Sequence, residues 1–238
     1  MEQPGRDLTT TELQTMFARI YANVLQRYTD EGMLLRLCEE TGKLMEIMRK
    51  DRYNNYELPL QIGKLFSWWF LTGTKLDIDL QEALWAKYPG ICTWCLRSDS
   101  CLCGVEHPGI SNREEIVLAR RRERTEEPKT LKEHQELQRR LYGKQGEQVH
   151  PIRLAAHVSE EVGELSREFR YCNFEGVCDE IPDIASWLFA VANRCGFGVA
   201  EIISRMYPDK CTTCGNAVCN CPSSDRLRER RCPKWPAA

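Results

Sequence analysis

The sequence lacks a long apolar run, an apolar leader, a large excess of one charge sign and any alternating strand pattern. No stretch approaches the roughly 18 apolar residues of a membrane span. Met1 to Asp7 lacks the apolar core of a secretory signal, so the expected location is cytoplasmic. A formal net charge of −2 gives no global basic field, which argues against nucleic acid as a partner. Glycine is modest, and apolar residues recur at steps of three and four. Leu13, Phe17, Ile20 and Val24 make one stripe; Val158, Val162, Leu165 and Phe169 make another. The expected class is therefore all-α.

Cysteine, by contrast, is plentiful, with 13 in 238 residues. Eight fall in two matching clusters, Cys92-x2-Cys95-x5-Cys101-x-Cys103 and Cys211-x2-Cys214-x4-Cys219-x-Cys221. Close CxxC pairing without a secretory signal reads as metal before disulfide. Four thiolates at this spacing match a closed tetrahedral zinc site, here expected twice and in a structural role. An iron–sulfur cluster is the alternative. Each knuckle is expected to pin the end of its own helical bundle. Cys38, Cys172, Cys178, Cys195 and Cys232 read mostly as buried, inert thiols.

The chain also contains itself twice. A shift of 121 residues lays Thr9, Glu12, Gln14, Tyr21, Glu40 and Leu44 on Thr130, Glu133, Gln135, Tyr142, Glu161 and Leu165. After a two-residue deletion the shift is 119, and Ser67-Trp68, Tyr88-Pro89 and Cys92 meet Ser186-Trp187, Tyr207-Pro208 and Cys211. A repeat this long is a duplicated domain rather than a solenoid unit of about 20–50 residues. The expected division is residues 1–104, a charged and solvated helical linker over 105–129, a second unit over 130–222, and a basic tail over 223–238. Third helices are expected over 60–72 and 180–195, with Asp179 as an N-cap and Pro182 in the first turn.

Glu161 and Glu164 lie three residues apart on one helix, and Glu180 and Asp183 repeat the spacing on the next. A short hairpin over 170–177 would set the two helices antiparallel, so that four carboxylates converge. Such a cluster repels itself unless a cation sits in it, and hard oxygen ligands suit Mg²⁺ or Mn²⁺. Ordinary solvated helix faces are the alternative, since a single ExxE carries little information. In the first copy the same four places hold Glu40, Lys43, Gln61 and Lys64. An ammonium group cannot ligate Mg²⁺, so the first copy is not expected to hold that metal. Lys43 and Lys64 would then stabilise a structural half or meet a substrate phosphate.

Glu160-Glu161-x-Gly163-Glu164-Leu165 followed by Glu180-x-x-Asp183 resembles the signature of the MazG-like all-α nucleoside triphosphate pyrophosphohydrolases. Ala192-Asn193-Arg194-Cys195-Gly196 is similar to that family's helix end. The likeness covers about 130–208, with 9–89 as a degenerate copy. It implies tandem bundles packed as an intramolecular pseudo-dimer, with pairing of whole chains as homodimers a further option. It also implies hydrolysis of an NTP or dNTP between the α and β phosphates. Mg²⁺ would be held by Glu161, Glu164, Glu180 and Asp183, with Glu160 orienting or deprotonating the water. Arg194 and Trp187 would contact substrate, although Trp68 holds the matching place in the first copy, which favours core packing for both indoles. Two departures stand out: Pro182 inside ExxD, and Ile203-Ser204-Arg205-Met206 where the family often carries Lys and Asn before Tyr-Pro. The rival class is a non-catalytic, zinc-containing interaction or nucleic-acid-binding protein on a degenerate scaffold.

Overall fold

Matching capping boxes open the first helix of each half. Thr9 accepts from the Glu12 amide and Glu12 returns the bond; Thr130 and Glu133 do the same. The computed structural model describes residues 7–51, 56–103 and 109–222. The helices are α1 (Thr10–Ile20), α2 (Ala22–Arg27), α3 (Asp30–Arg49), α4 (Glu57–Lys75), α5 (Leu80–Lys87), α6 (Arg113–Glu123), α7 (Leu131–Gly146), α8 (Pro151–Arg170), α9 (Phe174–Cys195) and α10 (Val199–Met206). Among the described residues there is no strand beyond one antiparallel bridge between Thr9 and Thr130. No helix there is long and apolar enough to cross a membrane. The basic tail and Cys232 lie outside the described residues.

Repeat-related residues make the same bonds. Gln14 donates to the Ile78 carbonyl and accepts from the Leu80 amide. Gln135 does likewise with Phe197 and Val199. The helices then cross between halves: α5 packs on α9, α10 on α4, and α3 on α8. The result is one continuous apolar core, from Phe17, Leu37, Phe66 and Trp69 to Val158, Ile184, Leu188 and Phe189, rather than two separate ones. Trp69 is fully buried, and its indole N–H donates to the Ile181 carbonyl of the other half at 2.7 Å. Gly63 lets α10 approach α4 closely, since a Cβ there would lie 2.3 Å from the Met206 sulfur.

Three expectations are corrected. First, α9 begins at Phe174, capped by Asn173, so Pro182 sits inside the helix rather than in its first turn. The missing N–H costs about 3 kcal/mol; the almost fully apolar buried face of α9 outweighs it. Second, the knuckles do not close their own bundles. The Cys101 amide donates to the Leu141 carbonyl within α7, and the Cys219 amide to the Ile20 carbonyl at the end of α1. Each knuckle supplies a backbone donor to a helix carbonyl of the opposite half. Third, Cys38 and Cys172 are exposed, and Cys178 and Cys195 only half-buried. The linker does form a helix, α6, but a docked one: Val117 is buried and Trp85 donates to the Arg121 carbonyl at 2.8 Å.

Candidate metal sites and acid centre

In each cysteine cluster the thiols of the four residues lie within 4.8 Å of one another. Individual Sγ–Sγ separations are 3.4–3.8 Å, from Cys101 to Cys92 and from Cys95 to Cys101 in the first, with the same range from Cys211 to Cys219 and Cys221 in the second. A tetrahedron with Zn–S bonds near 2.3 Å has edges of about 3.8 Å. The eight thiols are unpaired as disulfides and fit two four-thiolate zinc sites with no open position. Backbone amides of Thr213, Cys103 and Cys221 point at ligand sulfurs, the usual support of a bound thiolate.

Carboxylate oxygens of Glu161, Glu164 and Glu180 also lie within 4.8 Å of one another. The turn over 171–173 sets α8 and α9 together and brings the two ExxE/D faces into register. Burial, then the charges of Asp183, Glu180 and Glu164, pushes the Glu161 carboxyl up to about 7. Burial and neighbouring acids raise Glu180 as well. This is the electrostatic state of an acid group that a cation would relieve. Trp187 donates its indole N–H to Glu161 Oε1 at 2.9 Å, and His157 stacks on the same indole at 4.1 Å. Trp187 therefore orients the Glu161 carboxylate while packed partly against the core.

Asp183 stands beside this trio and is held from the other half. Lys87 Nζ lies 3.0 Å from Asp183 and 3.2 Å from Asp179, and the Tyr88 hydroxyl donates to Asp183 Oδ1. Burial raises the Asp183 carboxyl despite these two partners. Both partners sit at the end of α5, which packs on α9. Lys87 precedes Tyr88-Pro89, the position where the second copy has Met206. Sequence reasoning sought this lysine in the second copy; the clue was its presence in the first.

The first-copy counterpart is neutralised. Glu40 is buried and receives Lys43 Nζ at 2.7 Å, Arg36 at 3.1 Å and the Gln61 amide at 2.9 Å. Burial alone would raise its carboxyl, but Lys43 and Gln61 hold it below the usual range. Lys43 and Lys64 line an open cavity of about 320 Å³ there, away from the acid trio. Glu160 is exposed, bonded to His157 at 2.8 Å, and stands outside the trio. Arg194 lies eleven residues beyond Asp183 on α9, about 16 Å along the axis, and donates to the Val149 carbonyl at 3.1 Å.

Comparison with protein-family models, with curated proteins and with solved structures gives no match.

Proposed function

We propose that the acid centre is that of a MazG-like, Mg²⁺-dependent nucleotide pyrophosphohydrolase, and that the duplicated halves act as an intramolecular pseudo-dimer with one competent site. The observation that carries this reading is the convergence of Glu161, Glu164 and Glu180, with Asp183 alongside, in a partly buried group where burial raises the Glu161, Glu180 and Asp183 carboxyls. The oxygen-only donor set fits Mg²⁺ or Mn²⁺. Bound there, the ion would neutralise phosphate charge and lower the pKa of a coordinated water.

The residues of the chain do the rest. Glu161, Glu164 and Glu180 would hold the ion, and Trp187 fixes the rotamer of Glu161. Asp183 would complete the donor set if Lys87 turned from it to an incoming phosphate, and Lys87 would then offset part of the developing negative charge. Tyr88 keeps Asp183 aimed inward. Glu160, tethered to His157 on the exposed rim, is left to exchange protons with solvent. Products would be a nucleoside monophosphate and pyrophosphate.

Pyrophosphate release across an NTP and dNTP panel tests the reading. Glu164→Gln and Glu180→Gln, near-isosteric losses of charge, are expected to lower kcat at least a hundredfold, while Glu40→Gln keeps most activity. Equal losses from Glu40→Gln and Glu164→Gln would overturn the division between active and inactive halves. Absence of pyrophosphate release from every substrate in the panel would overturn the catalytic assignment.

A further inference from the structure

Two features have no counterpart among the described residues of the repeat, and both fall on the acid-bearing side. Helix α6 has no repeat-related partner there. Trp94, in the first knuckle, corresponds to Thr213 in the second. Together with the end of α5 they enclose an open cavity of about 440 Å³ lined by Lys87, Trp94, Arg113, Leu118, Arg121 and Asp179, among others. Lys87 bridges Asp179, which lines the cavity, and Asp183, which stands beside the acid trio, so the cavity adjoins the acid centre through Lys87.

The chemistry of the lining is specific. The Arg113 guanidinium lies 4.5 Å over the Trp94 ring, yet Trp94 remains 62% exposed, leaving indole surface open to a flat partner. Leu118 extends the apolar wall and is itself exposed. Arg121 has no carboxylate partner among the described residues, and its Nε is buried with no acceptor. A buried donor without an acceptor is unfavourable until a ligand supplies one. Aromatic surface next to a free guanidinium suits a nucleobase: every base stacks, and the arginine fork matches paired ring acceptors such as guanine O6 and N7.

We infer that this cavity is the base-binding subsite of the acid centre and that it takes a purine nucleotide, guanine ahead of adenine. The ring lies on Trp94, its acceptor edge meets Arg121, and its phosphates pass Lys87 to reach the acids. This inference rests on the nucleotide reading above and adds the moiety that the acids do not contact. A single-stranded nucleic acid end is the competing occupant of an arginine–tryptophan surface; the carboxylates that Lys87 bridges at one edge of the cavity favour a mononucleotide whose phosphates end there.

The test is equilibrium binding to the full-length, zinc-loaded protein with Mg²⁺ present. The probes are the α,β-methylene analogues of GTP and ATP, inorganic tripolyphosphate and a short single-stranded oligonucleotide. Trp94→Ala should weaken both analogues about tenfold, within the range of one lost base stack, and leave tripolyphosphate unchanged. Trp94→Phe should restore most of the loss, and Arg121→Gln should narrow the gap between the GTP and ATP analogues. The subsite is overturned if Trp94→Ala leaves the analogues unaffected, weakens tripolyphosphate equally, or acts on the oligonucleotide alone. A preference for the ATP analogue overturns the guanine assignment. Trp94-dependent binding without any hydrolysis sinks the catalytic reading and keeps the subsite; hydrolysis with Trp94-independent binding does the reverse.

Discussion

Lys87 reaches carboxylates that belong to the other copy of the repeat, and its loss has a readable consequence. Burial alone would lower its pKa, but Asp183 and Asp179 raise it, so it is a cation throughout the physiological range. Lys87→Gln is expected to cut kcat roughly tenfold to a hundredfold, less than a ligand loss, because the acids remain. Its KM for nucleotide should rise as well. Unchanged steady-state kinetics would remove Lys87 from the site. A second residue-scale prediction concerns His134, buried beside Gln81 and near Glu133 and Glu127. Burial presses its pKa from the usual 6.5 down to about 4. The unfolded chain therefore binds a proton that the folded one refuses between those values. Stability is intact above pH 6.5 and falls as pH drops toward 4, by about 3 kcal/mol in all for this group. Urea midpoints at pH 6.5 and 4.5 should differ less in His134→Gln than in the parent chain. An equal difference in both would assign the acid sensitivity elsewhere.

The helices themselves were legible from apolar spacing and caps: Leu13, Phe17 and Ile20 read as one face and are buried as one. Asn173 shows where the reading fell short. Its cap starts α9 early, and Pro182 drew attention to a later start because local rules penalise proline inside a helix. Tertiary burial on both sides overrode that rule. The trio Glu161, Glu164 and Glu180 was legible because i, i+3 spacing fixes a face. Lys87 and Tyr88 were not, because spacing says nothing about which helix packs across from which. The knuckles test the crossing directly. Protein purified without added metal should carry close to two Zn²⁺ per chain by elemental analysis; disulfides in their place would refute the assignment. Cys101→Ser should speed amide exchange around Arg140 and Leu141 in α7, in the opposite half, more than in α4. Faster exchange confined to α5 would show that each knuckle serves its own half after all.

At the scale of the whole molecule, neither half encloses its own apolar surface. Trp69 is buried against Ile181, and Gly63 against Met206. Residues 130–238 expressed alone should therefore be insoluble or inactive, with activity regained on adding residues 1–110. A soluble, fully active fragment would refute the interdependence. Trp69→Ala should cost about 3–5 kcal/mol, as for other large core truncations, and should lower a single cooperative transition rather than one of two. Two separated transitions in the calorimeter would indicate independent units.

The crossing of α5 and α10 has a genetic consequence. In a homodimer encoded by one short gene, any substitution appears in both subunits, so a lysine replacing an acid would strike every site. Fusing the two copies lifts that constraint. The first half holds Lys43 and Lys64 where the second keeps Glu164 and Asp183, while the second holds Met206 where the first keeps Lys87. Each copy lacks what the other keeps, so on the proposed function a complete site would draw on both.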